Sequence, residues 1–203
     1  MLVTGTGEYV YDRSMVAEGT QHLGLEGALA VKTWLESTTY LELPFNAYED
    51  EPMCTLMLRD GSRKRYDLLG HFLDERRPVV VESKRYTTPG HQGNDFTEFL
   101  ANAYSATSHD LVTVGDVRRE YIWVTTHPFS QTKWKGLTQP DEMRAALKTH
   151  SQLLAGEEID EDRLRLVVSR LWLLVMHEKQ KKLMLNRSEL QLVRTVLDRK
   201  ATS

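Results

Sequence analysis

A chain of 203 residues with 40% hydrophobic content has enough apolar material for one domain with a buried core, plus a small appendage. Its single cysteine, Cys54, excludes a disulfide framework and any cysteine-built zinc or iron–sulfur site within one chain, so a cytoplasmic location is expected. The net charge of -3 weighs against a free-standing, non-specific DNA binder, no apolar run is long enough to span a bilayer, and residues 1–7 lack the basic and apolar regions of a signal peptide.

In chain order, residues 16–38 read as a first helix, with Leu23, Ala30, Val31 and Trp34 among its apolar positions and Gly19, Gly24 and Gly27 weakening it. His22 and Glu26 stand four apart on one face of that helix. Strand-like stretches follow at 41–50 and 53–59, and Asp60-Gly61 is a tight-turn signal leading into a run over 64–69 that contains Asp67. The polar, proline-bearing segment Asp74-Glu75-Arg76-Arg77-Pro78 reads as a hairpin loop before the β-branched run Val79-Val80-Val81. Past that run the side-chain period of two puts Glu82 and Lys84 on one face, and pairing the two strands brings Asp67 close to Glu82.

A loop over 85–93, stopped by Pro89, Gly90 and Gly93, leads into a helix over 94–107 with the apolar stripe Phe96, Phe99, Leu100 and Ala103. A strand over 120–126 ends at His127-Pro128. Three helices are then expected, over 141–155, 161–182 and 188–200. Leu164, Val167, Val168, Leu171, Leu174 and Val175 stand at helical spacing in the second, and Ser188 with Gln191 forms a capping box opening the third. Packing on the core, or docking of a partner chain, would use such a stripe.

Two carboxylates followed by a lysine two positions on suit one chemistry. Phosphodiester hydrolysis needs a divalent cation held by hard oxygen ligands, so Asp67 and Glu82 are expected to bind Mg²⁺, with Mn²⁺ as a substitute. The ammonium of Lys84 is placed to hold the attacking water or to stabilise charge on the phosphate. The competing reading is an ordinary exposed pair on the wet face of a hairpin. Arg59, Arg63, Lys64, Arg65, Arg76, Arg77 and Arg85 cluster around these strands and offer local basic surface despite the acidic total.

Through Asp67, Glu82, Lys84 and their flanks the chain resembles the PD-(D/E)XK nuclease superfamily, with Tyr66 where the motif's name has proline. That resemblance implies the restriction-endonuclease-like α/β fold: a helix, three strands of a mixed sheet, a helix and a strand, readable here from about residue 15 to residue 127. It divides the chain into a nuclease core over 1–135 and a helical C-terminal extension over 136–203. It also implies that Glu26 reaches the metal directly or through water and that Gln92, which with Phe96 resembles a pattern of exonuclease-like branches, contacts substrate. The four cysteines that accompany that pattern in iron–sulfur members are missing. Arg85 and His22 are further candidates for substrate contact, His22 for a phosphate or a second metal, against the commoner role of a structural helix histidine.

The expected activity is metal-dependent hydrolysis of phosphodiester bonds in nucleic acid, DNA ahead of RNA, as the nuclease component of a restriction, transposition or antiviral-defence system. Specificity would then come from a homodimer or from a partner helicase, ATPase or recognition subunit. The alternative is a catalytically inactive nuclease-like scaffold or nucleic-acid-binding subunit.

Overall fold

The computed structural model describes residues 13–38, 40–85 and 92–197. It contains a five-stranded mixed sheet flanked by helices on both faces. Helix α1 (Arg13–Thr38) precedes strand β1 (Leu41–Asn46), and a two-stranded hairpin of β2 (Thr55–Met57) and β3 (Arg63–Arg65) is inserted before β4 (Leu68–Phe72) and β5 (Pro78–Lys84). Helix α2 (Gln92–Thr113) crosses to β6 (Glu120–Thr125). Helices α3 (Pro140–Thr149) and α4 (Glu161–Val168) cross to β7 (Leu171–Val175), and α5 (Arg187–Leu197) follows. The sheet order is β1-β4-β5-β6-β7, antiparallel from β1 through β5 and parallel from β5 through β7.

Alternation along β5 divides the core. Val79 and Val81 join Ala28, Val31 and Leu35 of α1, while Val80 joins Phe96, Phe99 and Tyr104 of α2 with Tyr121 and Trp123 of β6. Glu82 and Lys84 share Val80's parity and therefore continue the α2 side of the sheet. β6 is buried at all six positions, as expected of a strand covered on both faces and paired on both edges. Opposite Gly70 in β4, edge strand β1 carries a register irregularity between Glu42 and Phe45 that includes Pro44. A Cβ at Gly70 would stand 1.8 Å from the Glu42 carbonyl oxygen, so only glycine fits there.

The structure departs from the sequence reading in three places. The run expected over 64–69 is two elements: β3 pairs only with β2, β4 enters the main sheet, and Asp67 lies in the crossing between them. Tyr66 anchors that crossing, fully buried against Phe99 and Tyr121, with its N–H donating to the Cys54 carbonyl at 2.9 Å.

The helix expected over 161–182 ends at Val168, and Leu171–Val175 forms the fifth strand instead. Five consecutive apolar residues suit either a buried helix or a strand, and the open edge of β6 decides for the strand. The part expected to be a helical extension over 136–203 therefore contributes to the same sheet, and α3 and α4 bury Met143, Ala146, Leu147, Leu164 and Val167 in the core shared with α2.

Helix α5 is capped by Asn186 rather than Ser188. The Asn186 side chain accepts from the backbone N–H groups of Ser188 and Glu189 at 3.0 Å each, and Glu189 accepts from the Asn186 N–H at 2.8 Å.

Candidate active site

The β4–β5 register pairs Leu68 with Val81, so one step further Asp67 lies across from Glu82, as the sequence led one to expect. The Ser83 N–H donates to Asp67 Oδ2 at 2.7 Å and fixes that carboxylate against the strand. Glu82 is only 5% exposed. Lys84 Nζ stands 3.0 Å from Glu82 Oε1, and Lys64 Nζ of β3 stands 3.3 Å from Glu82 Oε2. Glu82 Oε2 receives no hydrogen bond, because the Lys64 contact lacks hydrogen-bond geometry at that oxygen.

The electrostatics follow from burial. Asp67 is pushed above the ordinary carboxylate range, to about 6, first by desolvation and then by the charge of Glu82, against the opposing pull of the Ser83 N–H and the two lysines. Burial would by itself lower the Lys84 ammonium, yet the Glu82 carboxylate, its hydrogen bond and Asp67 raise it overall, so Lys84 is held protonated. Its ammonium also lies 5.7 Å above the Trp123 ring. Four charges thus meet at one end of the β4–β5 pair and sum to zero.

Other expected residues lie around this centre. Glu26 is exposed on α1 and ion-pairs at 3.8 Å with Arg85, itself half-exposed at the end of β5. The backbone of His22 lies in α1, but its side chain lies outside the described residues. Among the described residues no group of three or more His, Cys, Asp or Glu side chains could hold a metal ion, so Asp67 and Glu82 come together as a pair to which Glu26 is not added.

Gln92 opens α2 fully buried, hydrogen-bonded at 2.9 Å to the Thr125 hydroxyl, whose residue pairs with Lys84 across β5 and β6. That hydroxyl also lies 2.9 Å from the His127 carbonyl and has one proton for two acceptors. Both contacts are satisfied when the Gln92 amide nitrogen faces Thr125 and the hydroxyl donates to His127.

Two neighbours of the centre were not singled out as site residues from the sequence. Lys64 belongs to a run of three cations, and the signal that separates it is parity: it shares a side with Tyr66, over whose ring its ammonium stands at 5.5 Å. Tyr48 follows β1, and its hydroxyl is raised in pKa by burial and then by Asp67. A Cβ at Gly24 of α1 would come within 2.2 Å of that hydroxyl, which gives this helical glycine a reason the sequence could not reveal.

The donor set fits a hard divalent cation. Asp67 and Glu82 offer two carboxylates, one buried oxygen of Glu82 lacks a hydrogen bond, and the pKa of Asp67, raised first by burial and then by the Glu82 charge, is one a bound cation would lower. A pair leaves most of the coordination shell to water and substrate, as Mg²⁺ prefers.

No family model matches the chain, and no curated protein sequence matches it. Among solved structures it aligns with the Acinetobacter baumannii Cap4 SAVED/CARF-domain containing receptor. With the form bound to the cyclic trinucleotide 3'3'3'-cAAA the alignment covers 88% of this chain and 40% of that one, at 10% identity and a TM-score of 0.33. The receptor described without a ligand gives 88% and 42%, 10% identity and a TM-score of 0.32, and that with 2'3'3'-cAAA gives 88% and 41%, 12% identity and 0.33. The chain spans less than half the length of these receptors, and likeness at this level assigns neither fold nor function.

Proposed function

We propose that the chain is a divalent-cation-dependent nuclease of the PD-(D/E)XK type, acting on DNA. The observation that carries the reading is the half-buried Asp67 set across from the buried Glu82, with Lys84 on the same strand face as Glu82 and 3.0 Å from it. The order α1, β1, β4, β5, α2, β6 agrees with the helix, three strands, helix and strand of that superfamily, with the β2–β3 hairpin as an insertion.

In this reading Asp67 and Glu82 hold the cation, which supplies charge neutralisation at the phosphate and a more acidic bound water. Lys84, kept protonated by its two carboxylate neighbours, donates hydrogen bonds to the attacking water or a non-bridging phosphate oxygen. A protonated lysine cannot take the proton of that water, so its role is to orient and stabilise. The Ser83 N–H holds Asp67 in place, and the stacked rings of Phe96 and Phe99, met edge-on by Trp123, form an apolar layer on the same side of the sheet. Lys64 adds a second positive charge beside Glu82 and keeps the pair from repelling the phosphate before the cation is bound.

The test is cleavage of circular DNA, linear DNA and RNA by purified wild type and Glu82→Gln across a titration of Mg²⁺ and Mn²⁺. Metal-dependent cutting of DNA by wild type, reduced at least about a thousandfold in Glu82→Gln, is expected. The absence of a third acidic or histidine ligand among the described residues favours a second reading, an inactive nuclease-like scaffold. DNA binding without cleavage at any metal concentration would support that second reading and overturn the first.

A further inference from the structure

We propose that the β2–β3 hairpin is a phosphate-tracking arm that leads one DNA strand away from the catalytic pair, through Lys64, Arg63 and Arg65. The proposal rests on the nuclease reading for the direction of the track, though the arm itself is defined by its own geometry. Strand β3 is Arg63-Lys64-Arg65, three consecutive cations, and their partners across the hairpin are the neutral Met57, Leu56 and Thr55. Like charges in succession without carboxylates opposite them weaken a two-stranded ribbon that is marginal on its own, so they need a reason outside its stability.

The alternation of β3 sorts the three. Lys64 turns toward Glu82, while Arg63 and Arg65 are exposed. Two open clefts lie along this arm. One, of about 350 Å³, is lined by Lys64 and Arg63 with Ser62, Asn102, His150 and Gln152, and by one carboxylate, Glu98, which accepts from the Asn102 amide at 3.5 Å. The other, of about 430 Å³, is lined by Arg63 and Arg65 with Glu51, Pro52, Thr55 and Met57. Arg63 belongs to both, so the cations form a continuous line from the centre, with Lys84 and Lys64 flanking Glu82 at its start.

The charges are available. Elsewhere in the chain Arg59, Arg77, Arg119, Arg163 and Arg170 each meet a carboxylate. Among the described residues Arg63 has no such partner, and Arg65 has only Glu51 at 3.9 Å, with both side chains more than half exposed. A polyanion with regularly spaced phosphates is the ligand such a line suits, because each cation it engages releases condensed counterions. It also reconciles a net charge of -3 with a nucleic-acid substrate, since the arm concentrates three cations on one short strand.

The experiment measures binding of a fluorescein-labelled 20-base-pair DNA duplex by the full chain in EDTA, over a series of salt concentrations. Wild type is compared with the double variant Arg63→Gln/Arg65→Gln and with Arg165→Gln, a control that removes an exposed arginine from α4. The double variant is expected to bind roughly tenfold more weakly at low salt, with the slope of log affinity against log salt reduced by about two, and the control to match wild type. Wild-type affinity and slope in the double variant would overturn the arm, as would an equal loss in the control or failure of wild type to bind. Aggregation of the double variant with unchanged affinity would also overturn it, since the arginines would then only protect the hairpin edge. The two readings separate cleanly: loss of slope without cleavage in Mg²⁺ sinks the nuclease alone, and cleavage with an unaltered slope sinks the arm alone.

Discussion

The end of the β4–β5 pair and the helical flank around α3 and α4 use charge in opposite ways. On the flank, Arg144 meets Asp141 and Glu161, Arg163 meets Glu157, and Arg170 forms a two-pronged pair with Asp116 at 2.6 and 2.7 Å. Glu157, Asp160, Glu161 and Asp116 are all held below their ordinary pKa, led in each case by a hydrogen bond to the ionised carboxylate, from an arginine side chain or, for Asp160, from the Arg163 backbone. These charges are comfortable, and most are exposed. At the strand end, Asp67 is instead driven upward by burial and by a second carboxylate, while two lysines crowd Glu82. A fold optimised for stability would not bury that pair, and such locally unfavourable arrangements gather where a ligand completes them.

Neutralising the Lys84 ammonium should have the largest effect at the strand end. Lys84→Met is expected to lower the turnover of metal-dependent cleavage by about a hundredfold or more while leaving cation binding in place. Turnover within a few-fold of wild type would remove Lys84 from the chemistry.

A smaller effect is expected on stability. Because the folded chain holds the Asp67 proton more tightly than the unfolded chain does, stability in EDTA should fall as pH rises from about 4 to about 6, and the full penalty should remain above that window. Asp67→Asn keeps an oxygen for the Ser83 N–H and removes the charge. It is expected to be more stable than wild type by roughly 1–3 kcal/mol at pH 8, with the difference shrinking toward zero near pH 4. Urea unfolding at the two pH values measures this, and equal stability at pH 8 would mean that the carboxylate pair is not under strain.

The least effect belongs to the flank. Arg144→Gln breaks two surface pairs, and its melting temperature and cleavage rate should both stay within experimental scatter of wild type, read by thermal denaturation and by the same cleavage assay.

The placing of Asp67 across from Glu82 was legible because period two and a hairpin loop are local signals. Val79-Val80-Val81 fixes the parity of Glu82 and Lys84, and the Asp74 to Pro78 loop sets which residue meets Glu82 across the pair. What escaped the sequence was decided at long range. Leu171–Val175 becomes a strand because β6 leaves an edge open, a fact about the sheet rather than about those five residues. Lys64 reaches Glu82 because Tyr66 pins the crossing between β3 and β4, and Tyr48 nears Asp67 because Gly24 lets it pass close to α1. Asn186 displaced Ser188 as the cap of α5, a shift of two residues that local propensity does not resolve.

The central claim is that Asp67 and Glu82 form a cation site, and Mn²⁺ binding followed by calorimetry in wild type and Glu82→Gln tests it without requiring turnover. The account predicts saturable binding by wild type, accompanied by proton release below about pH 6 and abolished in Glu82→Gln. Equal Mn²⁺ affinity in the two proteins, or no saturable binding by wild type, would contradict it.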